Sequence, residues 1–225
     1  MLLAIDTATR YASIALYDAS GVISEASWRS RNNHSVETLP AVASMLALHG
    51  LEPQALTGLA VAKGPGSFTG LRIGMSIAKG LCLALGIPIV AIPTLDIVAY
   101  AVGDTGSRIL CVLEAGRGRI CVAAYRFVDG LPVQDGDIAL QRALEWTPQA
   151  SEPMFVAGEI SAELAEHLLQ LPNAEELSIA SLAGSLRRAG YLAELAWNRF
   201  QEGATDDLDL LSPMYAQGPF SGTRL

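Results

Sequence analysis

The chain has 225 residues, enough for one large domain or two small ones around an ample core. Half of it is hydrophobic (51%), only 17% is charged, and the formal net charge is −8. That balance argues against autonomous RNA or DNA binding, in which Lys and Arg on phosphates supply most of the affinity. It leaves open a nucleic-acid pathway in which a partner brings the basic surface.

The elements follow from periodicity and turn chemistry. Residues 2–6, 11–18 and 21–28 read as strands, the last two joined by the turn Asp18-Ala19-Ser20-Gly21. A helix is expected from about Ser35 to His49, with Pro40 near its first turn and Gly50 as its stop. Strand 57–63, helix 69–85, strand 87–92 and a helix from Thr94 to about Val102 come next. Residues 80–95 carry no charge, but Gly86, Pro88 and Pro93 break them, and the stretch is shorter than the ~20 residues a membrane helix needs. No membrane span is expected.

The second half starts as an echo of the first. Ile109-Leu110-Cys111-Val112-Leu113-Glu114 mirrors Leu2-Leu3-Ala4-Ile5-Asp6, and both the acid pair and the pair Tyr17/Tyr125 are 108 residues apart. Gly21 and Gly130 occupy the next turn in each copy. The offset points to a duplicated β-hairpin domain. Beyond it come a strand near 119–128, weaker structure over 133–150, a strand at Met154–Ala157, a helix over 161–170 and a long helix from about Ser181 to Gln201. An extended tail closes the chain. The fold class is therefore α/β, with mixed sheets flanked by helices.

Cys82, Cys111 and Cys121 are odd in number and form no CxxC, and no secretory leader pattern opens the chain, where Asp6 interrupts the apolar run. A reducing cytoplasm is the expected compartment. His34, His49 and His167 form neither HxxxH nor HExxH, so no helix-borne metal site is expected. No Gly-x-Ser-x-Gly elbow supports serine hydrolase chemistry.

The most specific string is Gly64-Pro65-Gly66-Ser67-Phe68-Thr69-Gly70-Leu71-Arg72-Ile73-Gly74. It sits on a strand-to-helix turn, where helix N–H groups lack partners and Ser67 or Thr69 is a candidate cap. It fits neither GxGxxG nor the P-loop, since no Gly-Lys-Ser/Thr follows. Asp6, Thr7 and Thr9 form a second polar turn that resembles the first phosphate loop of actin-like ATPases and sugar kinases, where the acid handles magnesium or its water. The matching second-half segment, Glu114-Ala115-Gly116-Arg117-Gly118, has Glu rather than Asp and arginines nearby. An actin-like ATPase or small-molecule kinase using Asp6 and the 6–9 turn stands as the alternative function.

The two N-terminal helices are apolar nearly all round, more than one sheet face requires. On helix 69–85, Leu71, Met75, Ala78 and Cys82 form one stripe, and Ile73, Ile77, Gly80 and Ala84 another. The expected protein interface comprises Val36, Leu39, Val42, Met45 and Leu46 with Leu71, Arg72, Met75, Ile77 and Ala78. A chain exposing such helices is expected to form a homodimer when alone.

The Gly64–Gly74 string, Leu3-Ala4-Ile5-Asp6-Thr7-Ala8-Thr9, His34-Ser35 with Leu39-Pro40, and Pro213-Met214-Tyr215 together resemble the bacterial TsaB (YeaZ) family. The likeness runs in order along essentially the whole chain and is strongest over residues 1–100. It implies two actin-like (RNase H-like) domains: 1–103, completed by about 181–225, and a smaller one over 104–180. It also implies a non-catalytic subunit of the machinery that makes N6-threonylcarbamoyladenosine at position 37 of tRNA. Such a subunit would pair through its N-domain helices with a catalytic TsaD subunit, joined by the ATPase TsaE. No cofactor of its own is then expected; ATP or ADP and metal belong on the partners, tRNA is met only through the complex, and no membrane is involved. The chain departs from the family pattern at Val36, Gly116, Arg119, Cys121 and Gln217.

Overall fold

The computed structural model describes residues 1–31, 33–149 and 152–216. Gln217 and the rest of the expected tail lie outside the described residues. In chain order the elements are β1 (Leu2–Asp6), β2 (Tyr11–Asp18), β3 (Gly21–Arg29), α1 (His34–Leu48), β4 (Gly58–Ala62), α2 (Phe68–Leu85), β5 (Ile89–Ile92) and α3 (Thr94–Val102). They continue with β6 (Arg108–Gly116), β7 (Arg119–Val128), β8 (Leu131–Arg142), β9 (Met154–Gly158), α4 (Ala162–Leu169), β10 (Leu177–Ile179) and α5 (Ala189–Gln201). Among the described residues, one unit consists of Met1–Ile97 with Arg188–Met214, the other of Val98–Arg187 with Tyr215 and Ala216.

In the first unit the sheet order is β3-β2-β1-β4-β5. β1 pairs antiparallel with β2 and parallel with β4, and β4 is parallel to β5. Successive side chains on a strand point to opposite faces, so each strand feeds two cores. Leu2, Ala4, Ala15, Ala60 and Val90 face α5 through Leu192, Ala193 and Ala196. Leu3, Ile5, Ile14, Leu16, Leu59 and Val61 face α1 and α2 through Val42, Met45, Leu46, Met75, Ala78 and Cys82. Burial on both faces explains why β1 and β4 read as unbroken apolar runs rather than alternating ones.

The second unit repeats this plan. Its sheet runs β8-β7-β6-β9-β10, with β6 antiparallel to β7 and parallel to β9, and β9 parallel to β10. Each strand thus has a counterpart in the first sheet, in the same order and sense. Tyr17 pairs with Leu2 and Tyr125 with Ile109. Gly21 and Gly130 both sit at positive φ, 109° and 78°, where the hairpins turn. The repeat therefore covers the whole five-stranded sheet. Leu110, Val112, Val156, Leu164 and Leu168 form its core under α4.

Three elements depart from the sequence reading. Residues 133–150, read as weak, contain most of the twelve-residue strand β8. β8 is an edge strand, largely exposed and carrying Pro132, Asp135 and Asp137, so it lacks apolar alternation to betray it. β10, only three residues long, gave no signal at all. The long helix expected from Ser181 begins only at Ala189. Its start is set from far away: Ala189 N–H donates to Ser13 Oγ (2.9 Å) and Gly190 N–H to Glu25 Oε1 (2.8 Å). Those acceptors cap a helix end that has no side-chain cap of its own.

Candidate protein-docking site

β1 and β4 are neighbours, so the turn after Asp6 and the Gly64–Gly74 run leave the sheet side by side. The contact between them is close. Ser67 N–H donates to the Ala8 carbonyl (2.6 Å), and Thr7 Oγ1 donates to the Gly70 carbonyl (2.8 Å). Ser67 is the N-cap of α2, its Oγ accepting from Gly70 N–H (3.3 Å). A Cβ on Gly66 would strike the Ala8 carbonyl oxygen, one on Gly70 the Thr7 carbonyl oxygen, and one on Gly74 Thr7 Oγ1. Gly64, at φ 111°, would strike the Met214 carbonyl oxygen, and Met214 N–H donates to the Lys63 carbonyl (2.6 Å). The glycines let the 6–9 turn and the C-terminal segment lie against the helix start.

This packing bears on the phosphate-loop expectation. Carbonyl and hydroxyl oxygens face these glycines, whereas an anion cradle needs N–H groups. Asp6 is buried and accepts from Ala8 N–H (2.8 Å), and Thr9 Oγ1 accepts from Tyr11 N–H (3.4 Å). The second-half counterpart is tighter still. Arg117 and Gly118, at φ 55° and 69°, form the two-residue turn between the paired Gly116 and Arg119. Arg187 also lies close to this end of β6. Its guanidinium donates to Glu159 Oε1 (3.3 Å), and Glu159 Oε2 accepts from Glu114 N–H (3.0 Å).

The expected interface residues divide cleanly. Val42, Met45, Leu46, Leu71, Met75 and Ala78 are buried in the unit's own core and cannot meet a partner. Val36, Leu39 and Arg72 are exposed, and Ile77 is half-buried. The correction has a simple cause: a helix with two apolar stripes gives one to its sheet, and sequence periodicity does not say which. Phe68, Ile73, Ser76, Gly80 and Leu83 complete the outward face, with Leu83 70% exposed. Between α1 and α2 lies a mostly apolar groove of about 480 Å³, lined by Ser35, Phe68, Thr69, Arg72, Ile73, Ser76 and Ile77. The Arg72 guanidinium stands 3.8 Å above the Phe68 ring, holding both at the groove's mouth. α2 is long and apolar enough to cross a membrane by length and composition, but it packs across β1, β4 and β5.

His34 begins α1 and is buried, with Nδ1 unpartnered. Burial holds its imidazole below the ordinary 6.5, against weaker upward pulls from Glu37, the Thr9 backbone and Asp6. The three cysteines are buried, and burial pushes the Cys82 and Cys121 thiols up to about 11. They are structural rather than reactive.

The family model "TsaD: tRNA N6-adenosine threonylcarbamoyltransferase" matches residues 18–208. The Bacillus subtilis "tRNA threonylcarbamoyladenosine biosynthesis protein TsaB" is 37% identical over 160 residues, 70% of each chain. This chain belongs to the TsaB (YeaZ) family. The Escherichia coli protein of the same description is 35% identical over 127 residues, spanning 56% of this chain and 54% of that one. The solved structure "YeaZ from Pseudomonas aeruginosa" superposes with a TM-score of 0.79 at 26% identity, covering 96% of this chain and 99% of that one.

The two units are accordingly actin-like (RNase H-like) domains. In this TsaB-family chain, no group of three or more His, Cys, Asp or Glu among the described residues is placed to hold a metal ion. Of the outward residues of α2, Ile73, Ile77 and Gly80 stand in the second apolar stripe read from the sequence, and Leu83 does not. Phe68 was missed as a surface residue because its position inside the Gly-rich string suggested a turn.

Proposed function

We propose that this chain is a non-catalytic subunit of the complex that makes N6-threonylcarbamoyladenosine in tRNA, and that it docks a TsaD-type catalytic subunit on the outward face of α1 and α2. Its relatives from Bacillus subtilis and Escherichia coli carry the name of that biosynthesis. The carrying observation is the groove between the helices, lined by Phe68, Ile73 and Ile77, with Val36, Leu39 and Leu83 exposed on the same two helices. A surface of this kind costs solubility unless a partner covers it. The non-catalytic reading draws support from the 6–9 turn, whose polar groups serve the chain's own packing. When the catalytic subunit is absent, a second copy would cover the same face as a homodimer. A TsaE-type ATPase would join the assembled pair, and nucleotide and metal would reside on those partners.

Reconstitution tests this directly. tRNA modification by a TsaD-type subunit is measured with and without this chain, and with the Ile77→Glu/Leu83→Glu variant. Modification is expected to depend on the wild-type chain and to fail with the variant. Full modification by the catalytic subunit alone would overturn the proposal.

A further inference from the structure

A second cavity, of about 590 Å³, opens where the β2–β3 hairpin leads into α1, and it is lined by Arg10, Arg29, Ser30 and Arg31. The backbone register gathers these side chains. Tyr11 pairs with Arg29, and Ser30 N–H donates to the Arg10 carbonyl (2.8 Å). Ser30 Oγ in turn accepts from Asn33 N–H (3.0 Å), tying the cavity to the start of α1. In a chain with 15 basic and 23 acidic residues, three arginines line one cavity, and no carboxylate stands among its described lining residues. Among the described residues, neither Arg29 nor Arg31 forms an ion pair.

Guanidinium groups match phosphate oxygens in geometry as well as charge. Among the described residues the lining offers no aromatic ring on which a base could stack and no acid to hold a ribose. A free nucleotide would gain only its phosphate contacts here, whereas a polyphosphate chain can engage several guanidinium groups at once. Arg31 also stands just ahead of Ser35, which lines the docking groove.

We infer that Arg10, Arg29 and Arg31 form a phosphate-binding site for the sugar–phosphate backbone of RNA, used while a docked partner holds that RNA. The inference rests on the proposed function, which supplies both the partner and the tRNA. Because the whole chain is acidic, the site adds to the affinity of the complex instead of giving the lone chain strong binding.

The test uses the complex with a TsaD-type subunit carrying Arg29→Gln/Arg31→Gln, with tRNA affinity titrated over a range of salt. Partner co-purification should be unchanged. Affinity should fall about tenfold at low salt, and the slope of log K against log salt should become shallower by about 0.7 to 0.9 for each lost phosphate contact. Lysines at both positions should restore most of the slope. Unchanged affinity and slope would overturn the site. Inorganic phosphate and ATP serve as further probes: if the variant loses their binding but keeps full tRNA affinity, the cavity takes a small anion and the RNA assignment fails. If the wild-type chain does not bind the partner, the docking reading fails separately. The same variant of the isolated chain is then compared with wild type for tRNA binding at low salt. Equal binding overturns the site, and a loss confined to the variant upholds it.

Discussion

The glycines of the Gly64–Gly74 string are the clearest case of one residue type serving different ends. At Gly74 a methyl group would be forced against Thr7 Oγ1, so Gly74→Ala should destabilise the protein by about 1–3 kcal/mol, read as a lowered urea midpoint. Gly80 lies on the same helix with nothing within 4 Å of an added Cβ, and Gly80→Ala should stabilise by up to ~1 kcal/mol. Opposite signs are expected from substitutions that look identical in sequence. His34 is also placed by the fold: it opens α1 and is buried there. Since its folded pKa lies below the ordinary 6.5, the unfolded chain takes up the proton first as pH falls. Stability from this group is complete above about pH 6.5 and is lost progressively below it. Thermal unfolding should show a Tm that declines from about pH 7 to pH 5, with a shallower decline in His34→Gln.

At the level of single elements, α2 carries two apolar stripes with two destinations. Met75 faces the sheet and is buried, so Met75→Glu should lose several kcal/mol of stability and much soluble protein. Leu83 faces outward, so Leu83→Glu should leave the urea midpoint within about 0.5 kcal/mol while weakening capture of the catalytic subunit. Equal destabilisation by both changes would mean that the outer stripe is part of the fold. The buried pair Arg187–Glu159 gives the second unit its own test. Glu159→Gln removes the charge facing a guanidinium that is almost wholly enclosed, at an expected cost of about 3–5 kcal/mol in denaturant melts.

At the level of the molecule, the first unit is assembled from both ends of the chain. α5 covers one whole face of its sheet, and Asp206 joins Ala91 N–H (2.8 Å) and Arg199 (3.2 Å) beside β5. A fragment ending near residue 103 would leave Leu2, Ala4, Ala60 and Val90 uncovered. It should be insoluble alone and be rescued when residues 188–216 are supplied in trans. Soluble, cooperatively unfolding fragment without that rescue would contradict the closing role of α5.

The alternation of apolar runs, turn residues and helical stripes made most elements, the duplicated plan and the Gly64–Gly74 turn legible in the residues, because these are local consequences of period and backbone sterics. Residues 108 apart announced a duplicated hairpin, and the strand order extends that repeat to the whole sheet. Other features depended on groups distant in the chain. Ser13 and Glu25 decide where α5 begins, the 6–9 turn fills the space beside the glycines, and the sheet chooses which stripe of α2 it covers. Burial and capping are relations between elements, so a side chain's role in them is set only when the elements meet.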